Sequence, residues 1–398
     1  MEFISKLTLR REVEAAVHDL CVDVKTFKAD LAFIFASHHH GPEFHELISE
    51  VYNSIDCRNL IGCTGESIIG PTAEIESQPA ITLWAARLPD VRVNSFVFDQ
   101  EDLQALEDAP NEAWYERIGV RPEDSPSFVL LPDPFSINAQ LFIEKMDALY
   151  PGSTIVGGMA SGATEVGQNR LFVGDQALRQ GLVGVAVSGN VDVSSVVSQG
   201  CRQVGDPFVI TKSHENLIQE LGGKPALDVL RNVFNSAPDE DQKLMRTGLH
   251  VGRLIDEHVP NASAGDFLIR NMMGVTEQKA LAVGDFLRPG QTVQFHVRDS
   301  RSATEEMQRL LSEEKDRPKP PVSGALLFNC NGRGRRFFKE ANHDISLVND
   351  FADNCSVAGF FAQGEIGPVG GKTFVHGFTS SLALFREPVG GAVDSGGD

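Results

Sequence analysis

Short apolar runs that feed directly into glycine turns limit what this chain can fold into more than any other feature. Ile61-Gly-Cys-Thr-Gly65 and Val156-Gly-Gly-Met-Ala-Ser-Gly162 each close such a run, and Ala358-Gly-Phe-Phe-Ala-Gln-Gly-Glu-Ile-Gly-Pro368 is a third strand-to-glycine turn. Glycine at a strand end permits close backbone approach and backbone angles that a side chain would forbid. The Gly-Glu-Ile of the third segment resembles Gly65-Glu-Ser-Ile68, an internal echo that predicts two related halves facing one another.

A chain of 398 residues suits two domains, and 41% hydrophobic residues with a mean hydropathy of -0.13 describe a soluble globular protein. A formal charge of -20 disfavours sequence-independent binding to nucleic acid or to an anionic membrane, since both need a basic surface. Small molecules and other proteins are the expected partners. The opening residues place their charges after a short apolar stretch, unlike a secretory signal, and no apolar run reaches transmembrane length. The cysteines Cys21, Cys57, Cys63, Cys201, Cys330 and Cys355 form no C-x-x-C pair, which argues against a zinc site or disulfide framework and fits a reducing cytoplasm.

Helical spacing over 13–27 is followed by an apolar run at 29–36 that reads as a buried strand, then by a helix over 42–55 and a strand over 59–67. Strands are predicted at 80–86, 91–98, 127–131, 154–156, 170–173 and 181–187, with a helix at 139–149. Beyond residue 209 the spacing predicts helices over 214–222, 226–234 and 239–258, then strands at 267–270, 280–283 and 292–297 and a helix at 299–314. The last unit reads as a strand at 324–329, a glycine turn at 331–334, a helix at 343–354 and a strand over 374–385. The expected fold is α/β, with mixed β-sheets flanked by helices. The expected division is a helical lead-in at 1–28, domains at 29–215 and 216–386, and a disordered glycine-rich tail at 387–398.

In order and spacing, residues 30–37, Ile61-Gly-Cys-Thr-Gly-Glu66, Leu131-Pro-Asp-Pro-Phe-Ser136 with Val156-Gly-Gly158, Phe328-Asn-Cys-Asn-Gly-Arg-Gly334, the 358–368 segment and His376-Gly-Phe-Thr379 resemble the FIST family. The resemblance spans nearly the whole chain and implies FIST N-terminal and C-terminal domains in tandem. It implies an intracellular sensory module for small ligands such as amino acids, acting with a separate signalling protein. Some members bind haem and sense nitric oxide, and a eukaryotic branch carries an F-box. No kinase, cyclase, methyl-accepting or F-box segment accompanies these motifs here.

The favoured reading is therefore a cytoplasmic sensor that binds a small polar ligand, with catalysis the less favoured role. Glu365, an acid inside a glycine-dense turn, is the candidate contact for a ligand's amino group, with Arg333 and the amides of Gly332 and Gly334 for its carboxylate. Gly364, Asp133, Thr379, Cys63 and Gly158 complete the expected ligand site; turn capping by Glu365 and an Asp-Pro turn at Asp133 are the plain alternatives. A haem-based gas sensor using His38 or His40 is a second reading, without which no cofactor is expected. A cysteine-dependent hydrolase or transferase at Cys63 or Cys330 is a third, set against the commoner buried structural cysteine. The glycine turns match neither a dinucleotide nor a phosphate-loop pattern.

Overall fold

The structure is a computed structural model that describes residues 1–259, 262, 264–353 and 355–388. It is an α/β fold of two compact units, one formed by residues 1–197, 310–375 and 379 onward, the other by residues 198–309 and 376–378.

The first unit contains one motif three times. The first copy runs β1 (Glu2–Thr8), α1 (Val13–Cys21), β2 (Leu31–Ser37), α2 (Phe44–Ser54), β3 (Asn59–Gly65), a hairpin of β4 (Ile68–Ile69) and β5 (Glu74–Ile75), and β6 (Ile81–Arg87). The second runs β7 (Val91–Phe98), α3 (Gln100–Ala105), α4 (Asn111–Ile118), β8 (Ser127–Pro132), α5 (Ala139–Leu149), β9 (Ile155–Gly158), the hairpin β10 (Leu171–Val173) and β11 (Gln176–Leu178), and β12 (Leu182–Gly189). The third begins with β13 (Asp192–Ser198) and is then interrupted by the second unit.

That second unit holds β14 (Cys201–His214), β15 (Leu217–Leu221), β16 (Lys224–Pro225), α6 (Ala226–Ser236), α7 (Asp239–Thr247), β17 (Leu249–Leu254), β18 (Phe267–Val275), β19 (Leu281–Val283) and β20 (Thr292–Arg298). Its strands run β14-β20-β17-β18-β19-β15, and β15 pairs back onto β14, so the sheet closes on itself and leaves β16 as an appendage. Val204, Ile210, Ile218, Val251, Leu281 and Phe295 fill its core. The chain then passes through α8 (Ser300–Lys315) and completes the third copy with β21 (Gly324–Cys330), α9 (Arg335–Phe338), α10 (His343–Phe351), β22 (Ser356–Ala362), the hairpin β23 (Glu365–Val369) and β24 (Lys372–His376), and β25 (Ser380–Arg386).

The three sheets of the first unit have the same plan: β1-β6-β2-β3, β7-β12-β8-β9 and β13-β25-β21-β22, each extended by a hairpin borrowed from another copy. The β10–β11 hairpin completes the first sheet, β23–β24 the second and β4–β5 the third, a cyclic exchange. Each sheet carries one parallel pair, joined across α2, α5 or α10. Residues from all three meet in one core that includes Phe33, Phe35, Val129, Leu131, Phe328 and Phe360. The rings of Phe35 and Phe360 lie 5.0 Å apart, and those of Phe328 and Phe360 5.8 Å apart at 80°. On the first sheet's other face, Ala32, Ile34 and Ala36 pack under Leu20, Leu47 and Ile48 of α1 and α2. Burial on both faces is why the first parallel strand of each copy reads as an unbroken apolar run.

One contact recurs in every copy. Ile34 pairs with Gly62, Leu130 with Gly157 and Leu327 with Gly359. A Cβ on these glycines would lie 1.8, 1.9 and 1.8 Å from the facing carbonyl oxygen, a distance no side chain tolerates.

Several expectations need correction. The internal echo marks three copies, not two halves. The segment at 1–28 is not a helical lead-in: it opens with β1, hydrogen-bonded along β6, and only then enters α1. Residues 214–222 form the β14–β15 hairpin instead of a helix, because the short spacing of Leu217, Ile218 and Leu221 satisfies a strand equally well and barrel closure decides between them. The helix predicted over 239–258 stops at Thr247, where Gly248 ends it, and continues as β17. The strand predicted over 374–385 is broken between β24 and β25, with Phe378 at φ +66°. The compact units also follow a different line from a cut at 215/216, since the chain returns to the first unit at residue 310. The tail from residue 389 lies outside the described residues.

Gly359→Ala is expected to cost more than about 3 kcal/mol in chemical denaturation or to abolish soluble expression, through enforced backbone displacement in a packed core. Gly41→Ala, where a Cβ meets nothing within 4 Å, is the control and should stay within about 0.5 kcal/mol of the parent. Equal effects at the two positions would refute the close-approach account.

Candidate functional site

The strand ends of the third sheet gather an unusual set of buried polar side chains. Asn329, next to last in β21, donates from Nδ2 to Asp344 Oδ2 at 2.9 Å and accepts the Ser380 hydroxyl on Oδ1 at 2.7 Å. The following turn carries Arg333, whose Nε and Nη2 donate to the two oxygens of Asp344 at 2.7 and 2.8 Å, with both side chains at 0% exposure. His343 Nδ1 lies 2.9 Å from Asp344 Oδ1, and its ring stacks on Phe338 with centroids 3.4 Å apart. Asp344 thereby has both oxygens occupied. Burial alone would raise its carboxyl, but the charge and hydrogen bonds of Arg333, with His343, hold it far below the usual carboxylate range.

Two further acids lack such compensation. Glu74, in the borrowed strand β5, accepts the Ile345 amide on Oε1 at 3.0 Å, while its Oε2 has no partner. Burial, and then repulsion from Asp344, push this carboxyl up to about 8. Glu365 opens β23, pairs in register with Gly158 and is fully buried. Its Oε2 accepts the Thr379 amide at 3.1 Å, and its Oε1 has no partner. Burial raises it well above its ordinary value, opposed by the Thr379 amide, the Arg333 charge and the Cys330 thiol. Asn331 Oδ1, in the Arg333 turn, is a third buried acceptor without a donor.

The threefold plan makes Glu365 anomalous. Its counterparts one residue past the glycine shared by the three copies are Ile68, opposite Phe360, and Leu171, opposite Cys63. Both are fully buried apolar residues. A glutamate therefore stands where the fold otherwise places core.

The predicted site residues separate accordingly. Glu365, Gly158, Thr379, Cys330 and Arg333 belong to one cluster. Gly332 donates its amide to Cys330 Sγ at 3.4 Å, Gly334 holds φ +75° against Glu76, and the Gly364 carbonyl accepts the Met159 amide at 2.8 Å. Asp133 belongs elsewhere: it accepts Ser136 Oγ at 2.6 Å and Asn169 Nδ2 at 2.9 Å. Cys63 is fully buried in the common core, where burial pushes its thiol well up and away from reactivity. Cys330 is only partly buried. His38 stacks on His39 with centroids 4.1 Å apart, and both ring nitrogens of His40 face backbone carbonyls, those of Ser37 and Arg10. Among the described residues no group of three or more His, Cys, Asp or Glu side chains is placed to hold a metal ion, and no helix is long and apolar enough to cross a membrane.

Sequence reasoning missed Asp344, Glu74, Asn329 and His343. Asp344 reads as an ordinary first-turn helix acid, and Glu74 sits in a two-residue strand with no periodicity to place it.

Glu74 makes stability fall with pH. The folded chain keeps a proton on this carboxyl up to about 8, whereas the unfolded chain releases it near the model-peptide value of 4.5. The contribution is complete below 4.5 and is lost as pH rises through about 8. Glu74→Gln should flatten the decline in denaturation free energy over that window, a change of a few kcal/mol. An unchanged slope would contradict this assignment.

Comparison with known proteins finds relatives over most of the chain. The uncharacterized protein Rv0628c of Mycobacterium tuberculosis is 41% identical over 361 residues, which cover 89% of this chain and 91% of the relative. The uncharacterized protein Mb0898c of Mycobacterium bovis is 36% identical over 358 residues, covering 89% and 90%. A crystal structure of cyanuric acid hydrolase from A. caulinodans aligns over 97% of this chain and 99% of that one, at 9% identity and a TM-score of 0.32. The FIST N domain matches residues 30–224 and the FIST C domain residues 226–368. With both domains matched in tandem, the chain belongs to the FIST family, which is associated with signal transduction and small-ligand sensing.

Proposed function

We propose that this protein is a sensor for a small polar metabolite carrying a primary amine, with an amino acid as the first candidate, bound at the Glu365 cluster. The observation that carries this reading is the orphaned Oε1 of a fully buried Glu365, at a position filled by Ile68 and Leu171 in the other two copies. A buried carboxyl with an unmet acceptor costs free energy that an apolar residue would not, and a ligand donor relieves it.

In this reading the ligand ammonium donates to Glu365 Oε1, and the carboxyl ionises as the cation arrives. Binding therefore releases a proton. Asn331 Oδ1 is a further acceptor available to the ammonium or to a polar side chain of the ligand. The ligand's carboxylate meets the field of the Arg333 guanidinium, held in place by Asp344, and the amide of Gly334, since the amides of Gly332 and Arg333 already donate to Cys330. A separate cytoplasmic signalling protein receives the output.

Isothermal titration of the full chain against the amino acids and simple amines tests this directly. Saturable heat is expected for one chemical class, with a proton release visible as a dependence on buffer ionisation enthalpy. Glu365→Leu, which copies Leu171 of the second repeat, should abolish that binding while raising stability by about 1–3 kcal/mol. Flat heats throughout, or binding that survives in Glu365→Leu, would sink the reading.

A further inference from the structure

The three copies differ in one connection. From the shared glycine to the start of the borrowed hairpin the chain takes the same short path in two copies, Gly62 to Ile68 and Gly359 to Glu365. In the second copy it detours through residues 159–170 before Leu171. This longer segment walls a cavity of about 450 Å³ with His38, Thr64, Gln168, Asn169, Arg170 and Arg179 on its lining. The lining contains no acidic side chain, in a chain whose formal charge is -20.

The basic groups there are not neutralised by their surroundings. Neither Arg170 nor Arg179 makes an ion pair among the described residues. Arg170 donates Nη1 to the carbonyls of Gly167, Gln168 and Asn169 at 2.7, 3.1 and 2.7 Å, which fixes its guanidinium on the loop without cancelling its charge. Burial, and then the like charge of Arg179, press against protonation of Arg170. Two guanidiniums kept near each other without a carboxylate form an electrostatic vacancy for an anion. Thr64 and Asn169 are buried side chains on the same lining, and Asn169 is braced by Asp133 at 2.9 Å. The amides of Gly162 and Ala163, also on the lining, donate to no acceptor among the described residues.

We propose that this cavity is a second ligand site, separate from the Glu365 cluster, that takes a small oxyanion-bearing metabolite, a phosphate ester or a carboxylate, between Arg170 and Arg179 with the amides of Gly162 and Ala163. The long connection in the second copy is what builds it. Asp133 serves this site by orienting Asn169, which accounts for its position away from Glu365.

The full chain is to be titrated calorimetrically, at fixed ionic strength, with inorganic phosphate in one series and succinate in another. Saturable binding in at least one series is expected, and the series that saturates identifies the oxyanion. Arg179→Gln, an exposed position that leaves the loop carbonyls capped by Arg170, should weaken it by about tenfold or more. Arg288→Gln, an exposed substitution of equal charge in the other unit, should leave it unchanged. No saturation in either series, or the same loss at Arg288→Gln as at Arg179→Gln, would overturn the proposal. Because the test involves neither amines nor Glu365, its failure leaves the sensor reading standing, and the reverse also holds.

Discussion

Three backbone approaches set the geometry of the first unit: Ile34 against Gly62, Leu130 against Gly157 and Leu327 against Gly359. Each brings a parallel strand pair so close that a methyl group would strike the opposite carbonyl. With the pairs locked in the same register, residues at equivalent positions project into one common core. That is why Phe35 can meet Phe328 and Phe360 there although it precedes Phe328 by 293 positions in sequence (328 − 35). The exchanged hairpins then tie each sheet to another copy, so no sheet is complete alone.

The same regularity makes departures from it informative. Glu365 departs by placing a carboxyl at a core position, and the 159–170 segment departs by lengthening a turn. A fold that repeats three times supplies its own reference, and the deviations from that reference coincide with unmet hydrogen-bonding capacity in one case and unmet charge in the other. The Arg333–Asp344 pair behaves differently. It is fully satisfied, and breaking it would strand a buried charge, so its role is to hold a fixed field beside acids whose ionisation is free to respond.

Much of this was legible in the sequence, for identifiable reasons. Continuous apolar runs at 29–36 and 127–131 announced doubly buried strands, and glycine turns announced their ends. Glu365 stood out because an acid in a glycine-dense segment has little packing purpose. The third copy was hidden because the second unit separates β13 from β21, which pushes its first strand far from its partners in sequence. The β14–β15 hairpin was misread because its apolar spacing fits a helix and a strand alike. Asp344 and Glu74 were invisible for a different reason: their importance comes from who surrounds them, and neighbours such as Asn329 and Ile345 are brought there only by the fold.

The account rests on Glu365 being a buried, neutral acid poised to ionise on meeting a cation. Carbon-13 NMR of the chain labelled at glutamate Cδ, with the resonance assigned through Glu365→Gln, reads that state directly. The account predicts a protonated Glu365 carboxyl at neutral pH in the free protein, titrating well above the ordinary range for glutamate. A Glu365 resonance already in its ionised position at neutral pH would contradict it.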